Sequence, residues 1–158
     1  MKVNLNIARP KKNPYKVKGK DYTEAAKFLL SKPFAACYEP HPTYKQKFDD
    51  NGNANDISVT AKPTITIPEW SGAGKLKGDE KKWWTSMIKA LTKHEANHHK
   101  IFEDEVKKFK KTTEAAGDFP KNETAGKMSA LFTDIQKKQD SYDKKTSHGE
   151  KEGVTLPV

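Results

Sequence analysis

The sequence predicts an α+β fold: a small, mostly antiparallel sheet packed beside a long helix and a second, antiparallel helix. Up to Trp70, short apolar runs alternate with polar residues, the period-two mark of half-buried strands. From about Glu80 to Lys111 the period becomes helical. A second helical run, from about Asn122 to Tyr142, follows the corner at Gly117 and Phe119-Pro120. At 158 residues the chain is expected to form a single domain over 1–158.

Val3, Leu5 and Ile7 give a first strand that stops before Pro10. Lys11-Lys12-Asn13-Pro14 reads as a turn, and Tyr15 to Lys18 as a short strand closed by Gly19. Asp21 is placed to cap a helix with Glu24 reaching back; Ala25, Ala26, Phe28, Leu29 and Leu30 supply its apolar face, and Pro33 stops it. Phe34 to Tyr38 and Tyr44 to Phe48 read as strands, and Asp49 to Asn53 as a turn. The lone Cys37 excludes an intramolecular disulfide, and its apolar neighbours predict a buried, inert thiol.

Ile57 to Pro68 is the strongest strand signal. Pro63 within it has no amide hydrogen to give a ladder, so the strand is expected at an edge or with a bulge. An edge there could pair with an extended peptide substrate, or could simply be blunted by Pro and Lys. Ser71 to Gly78 is a flexible connection into the long helix.

The formal net charge is +9, but Arg9 is the only arginine among the 30 basic residues. Nucleic-acid readers lean on Arg for two-pronged contacts, so a solvated Lys-rich surface is the expected reading and no specific nucleic acid is expected. No apolar run is long enough to span a membrane, and the opening residues alternate like a strand rather than forming a signal peptide.

On the long helix, Trp84, Met87, Ile88, Leu91, Ile101, Phe102, Val106 and Phe109 share one arc of the wheel. His94, Glu95 and His98 fall in that arc, while Lys89, Lys93, Asn97, Lys100, Asp104, Lys107 and Lys111 face the other way. Residues four apart lie one above the other on a helix, so His94 and His98 can aim two imidazoles at one metal ion. The pattern His-Glu-x-x-His adds a carboxylate, Glu95, able to take a proton from a water on that ion. Burial demands a partner for each polar group, and a metal satisfies both imidazoles.

A catalytic zinc has three protein ligands and keeps a fourth position open. Asp104 lies ten residues past His94, but no Gly turns the chain back before it and it faces solvent. Glu105 faces inward, yet its seven residues beyond His98 correspond to about 10 Å of helix. His148, after the second helix, can fold back and is the expected third ligand. His99 reads as a neighbour of the site or a surface residue, and His41, between two prolines, as a surface residue. Tyr142 could stabilise an oxyanion and Asp143 could orient a ligating imidazole; a core aromatic and a solvated carboxylate are their plainer readings.

The chain resembles a family of bacterial secreted zinc-dependent proteases with a domain of unknown function. The matching residues are Trp84 upstream of His94-Glu95-x-x-His98 and the late run Tyr142-Asp143-x-x-Thr146-x-His148-Gly149. Tyr15-x-Val17-x-Gly19 and Ile67-Pro68-x-Trp70 match as well. The resemblance implies one zinc ion, peptide hydrolysis and an extracytoplasmic, secreted or periplasmic location. It implies His94 and His98 as ligands, Glu95 as base, and a site role for His148. The expectation is a zincin-like metallopeptidase, monomeric, acting on a peptide or protein substrate. A metal-dependent cell-wall amide hydrolase and a non-catalytic zinc-stabilised binding protein are the alternatives.

Overall fold

The computed structural model describes residues 1–158 and is α+β, as the two periodicities predict. In chain order the elements are β1 (Lys2–Ile7), β2 (Lys11–Lys16), α1 (Tyr22–Leu30), β3 (Cys37–Glu39), β4 (Pro42–Phe48), β5 (Asn53–Ala61) and β6 (Thr64–Glu69). There follow α2 (Gly78–Ala116), the two-residue β7 (Phe119–Pro120) and α3 (Thr124–Thr146). No helix is long and apolar enough to cross a membrane.

The strands form two small mixed sheets rather than one mostly antiparallel sheet. In one, β5 lies between β1, which runs parallel to it, and the antiparallel β4, with β7 also paired to β5. In the other, β6 lies between the parallel β2 and the antiparallel β3. The parallel pairs arise because the opening segment runs alongside a segment far along the chain, Val3 opposite Ile57 and Lys12 opposite Ile65. Such pairing leaves no mark in local periodicity.

Pro63 accordingly acts differently from the edge or bulge the sequence suggests. It falls between β5 and β6, each of which is the central strand of its sheet. The residue that cannot join a ladder ends one strand before the next begins. Neither half of the run is an edge, so it offers no free edge to a peptide. Lys11 to Pro14, read as a turn, is strand instead; Pro14 is tolerated because β2 pairs on one side only.

The chain divides into two compact units, each built from three separate segments. One comprises Met1–Pro10, Pro40–Pro63 and His99–Asp140. Its buried residues include Val3, Ile57 and Val59 of the sheet, Phe102 and Val106 of α2, and Met128, Leu131 and Ile135 of α3. Glu114 on α2 accepts the Val3 amide at 2.9 Å, and the Lys110 ammonium donates to the Val3 carbonyl.

The other unit comprises Lys11–Glu39, Thr64–His98 and Ser141–Val158. Its core joins Val17, Tyr22, Ala25, Ala26 and Leu29 to Ile67, Trp70, Trp84, Met87 and Leu91. Asp21 caps α1 as expected, accepting the Glu24 amide at 3.0 Å, and the Glu24 carboxylate accepts the Lys20 amide. Gly19 sits at φ +150 where an added Cβ would lie 2.5 Å from the Ala25 backbone nitrogen, so only glycine lets the chain enter α1 this closely. The closing segment is anchored: Val154 and Leu156 pack on the core and Pro157 accepts the Tyr22 hydroxyl at 2.7 Å.

Cys37 is exposed rather than buried. Its strand begins only at Cys37 and forms the edge of its sheet, so the apolar residues before it do not bury it. Phe34 among them is 57% exposed.

Candidate metal centre

Every residue of the site lies in the second unit, on the middle of α2, the last turn of α3 and the segment after it, with Tyr38 of β3 beside them. The stripe Trp84, Met87, Leu91 seats α2 on its core, and the same stripe continued brings His94, Glu95 and His98 inward. All three are buried as the wheel predicts. His94 Nε2 and His98 Nε2 approach to 3.2 Å.

Asp143 completes the group. Its Oδ1 lies 3.1 Å from His94 Nε2 and 2.9 Å from His98 Nε2. His94, His98 and Asp143 thus form a cluster that could hold a metal ion. A tetrahedral ion with bonds of about 2.0–2.1 Å spaces its ligand atoms about 3.3 Å apart. The three edges here, 2.9, 3.1 and 3.2 Å, are close to that spacing. Two imidazole nitrogens and a carboxylate oxygen are also a donor set suited to such an ion.

Aromatic packing fixes the rings. Tyr142 stacks on His94 at 4.8 Å between centroids and meets His98 edge-on at 4.9 Å. Tyr38 of β3 lies parallel to the His98 ring at 6.4 Å. The Tyr142 hydroxyl accepts from Asn97 Nδ2 at 2.9 Å and donates towards Glu152, both of whose carboxylate oxygens are 2.9 Å away. Burial is the main cause that pushes its phenol up to about 12.

Glu95 is only 4% exposed. Burial pushes its carboxyl up to about 7; the charge of Asp143 adds to this, while His98 and the Tyr38 amide, which donates to it, pull the other way.

His148, the expected third ligand, is not brought into the cluster. Its side chain is 60% exposed, with Nδ1 3.7 Å from Asp143 Oδ2, the oxygen turned away from the two histidines. Its ring leans on Phe34 at 5.4 Å. Asp143 stands with the imidazoles, and His148 lies on the far side of its carboxylate. Asp104 pairs with Lys100 and Glu105 with Lys138, and neither joins the cluster. His99 Nε2 lies 3.5 Å from Glu103, and His41 adopts a left-handed backbone at φ 46.

The sequence reading places Asp143 behind a ligand rather than among the donors, and does not single out Glu152. A signal for Asp143 was present: the inward stripe of α3 runs through Ile135, Gln139 and Thr146, with Asp143 one turn before its end. Glu152, whose Oε2 is 2.7 Å from His94 Nδ1, has no such signal, because it follows the helix in a short charged turn.

A family model described as "Bacterial protein of unknown function (DUF922)" matches residues 12–149. No curated protein and no solved structure matches the chain. The matched stretch runs from β2 through His148, most of the chain, and includes His94, Glu95, His98 and Asp143; the chain belongs to the DUF922 family of bacterial proteins of unknown function.

Proposed function

We propose that His94, His98 and Asp143 hold one zinc ion and that the protein is a metallopeptidase with Glu95 as its general base. The observation that carries this reading is the convergence of His94 Nε2, His98 Nε2 and Asp143 Oδ1 beside a buried carboxylate. Three protein donors match the count of catalytic zinc sites; closed structural sites use four.

Zinc in such a site polarises a substrate carbonyl and acidifies water. Glu95 takes the proton from the attacking water on a carboxylate oxygen and passes it to the leaving amine nitrogen. The Tyr38 amide donates to the Glu95 carboxylate and holds it in place. Tyr142 and Tyr38 keep the imidazole planes fixed through both transfers.

The test is cleavage of an unstructured polypeptide by the zinc-loaded protein, with and without chelator, beside Glu95→Gln. Chelator-sensitive cleavage that the variant loses is the expected result. A variant that cleaves as well as the parent sinks the reading, and turnover of peptidoglycan fragments alone moves the assignment to a cell-wall amide hydrolase.

A further inference from the structure

Beyond α3 the chain turns sharply. Ser147 and His148 take left-handed conformations at φ 51 and 54, and Gly149 follows at φ 86. Left-handed backbone in two successive non-glycine residues is disfavoured by the Cβ, so the surrounding contacts must enforce it. Those contacts are present: Thr146 Oγ1 accepts the Gly149 amide at 3.2 Å, and the His148 amide donates to the Asp143 carbonyl at 2.8 Å. A Cβ on Gly149 would lie 3.2 Å from His94 Cγ and Nδ1 and 2.7 Å from Val154 Cγ2, so the turn lies directly on the His94 ring.

Three residues later the same segment places Glu152 Oε2 2.7 Å from His94 Nδ1. An ionised carboxylate only accepts hydrogen bonds, so the hydrogen between these atoms belongs to Nδ1. A neutral imidazole protonated on Nδ1 carries its lone pair on Nε2. Nε2 is the atom that faces His98 and Asp143. Glu152 is itself steadied by the Tyr142 hydroxyl, which Asn97 holds in turn.

We propose that Glu152 is a positioning residue of this site, setting His94 in the tautomer whose bare Nε2 turns towards the metal, with Tyr142 and Asn97 holding Glu152. The inference rests on the metal-binding part of the reading above and not on the peptidase part. It gives Tyr142 a positioning duty in place of oxyanion contact, since its donor hydrogen is already directed at Glu152. Glu152 also lies past residue 149, where the family match ends, so the assignment belongs to this chain's own structure.

The test uses the full chain, with zinc as the probe. Chelator competition should show Glu152→Ala weakening zinc by about 10–100-fold, the usual effect of losing a carboxylate behind a ligating histidine. Glu152→Gln, which keeps an acceptor oxygen but no charge, should fall in between. Imidazole nitrogen NMR on zinc-loaded protein should find the remaining His94 proton on Nδ1, held by a carboxylate in the parent and released from it in Glu152→Ala. The His94 signals are identified by their loss in His94→Ala.

Zinc affinity within twofold of the parent, together with an unchanged Nδ1 signal, overturns the proposal. Glu152-dependent zinc binding without peptide cleavage supports it while removing the peptidase reading. If zinc does not bind at all, the metal-free spectrum decides: a His94 with no proton on Nδ1 in the parent overturns the assignment, and a proton on Nδ1 upholds the contact.

Discussion

At the scale of single residues, Glu95 links the site to stability. Its carboxyl sits at about 7, above the ordinary 4.5, chiefly through burial. A folded-state value above the unfolded one means stability that is fully present below about pH 4.5 and is lost as pH rises through about 7. Glu95→Gln mimics the protonated shape and removes that dependence. In chelator, urea unfolding should show the variant about 3 kcal/mol more stable than the parent above about pH 8, and equal to it near pH 4.5. Gain of stability with loss of cleavage is the expected signature of a base kept in a costly place. Asp143 and His148 separate just as cleanly. Asp143→Ala removes a donor atom 2.9 Å from His98 Nε2 and should weaken zinc at least as much as losing a supporting carboxylate does, about 10–100-fold. His148→Ala, altering an exposed ring outside the cluster, should change it by less than about threefold. Chelator competition on the two variants checks both, and the reverse order would return His148 to the ligand set.

At the scale of elements, α2 is both core and site, and its wheel was legible because helical period is local information. The same arc that carries Trp84, Met87 and Leu91 carries His94, Glu95 and His98, and all six are buried. Leu91, 2% exposed and one turn before His94, makes the coupling testable. Leu91→Ala should cost about 2–5 kcal/mol in urea unfolding, and zinc affinity should fall with it because the turn bearing His94 loses its footing. What the sequence did not disclose depends on distant partners. Pro63 speaks against a central strand run, yet whether it edges a strand or separates two depends on what pairs on either side, and β1 and β2 come from the far end of the chain. Cys37 has the neighbours of a core residue, but only the sheet order makes its strand an edge. Asp143 was visible as a residue of interest; its place among the donors required knowing how α3 meets α2, and Glu152 required the turn after it as well.

At the scale of the whole molecule, the two units are interleaved in sequence, so neither is a continuous stretch that could be excised. The metal-holding group ties the second unit's middle segment to its last one, since His98 and Asp143 are 45 residues apart. A ligand bound only by the folded state stabilises it by mass action, about 2.7 kcal/mol when free zinc is a hundredfold above its dissociation constant. Thermal unfolding should therefore shift upward with added zinc and return with chelator, and the shift should shrink in Asp143→Ala. The distance along the chain also has a temporal meaning. A polypeptide emerges from the ribosome N-terminus first, so His94, Glu95 and His98 are made well before Asp143, and Glu152 follows His94 by 58 positions. His94, Glu95 and His98 are thus made while the third residue of the cluster is still untranslated. If the site is hydrolytic as proposed, an order of assembly that supplies its third donor last would keep it incomplete during most of its own synthesis, when unfolded polypeptide is nearest to hand.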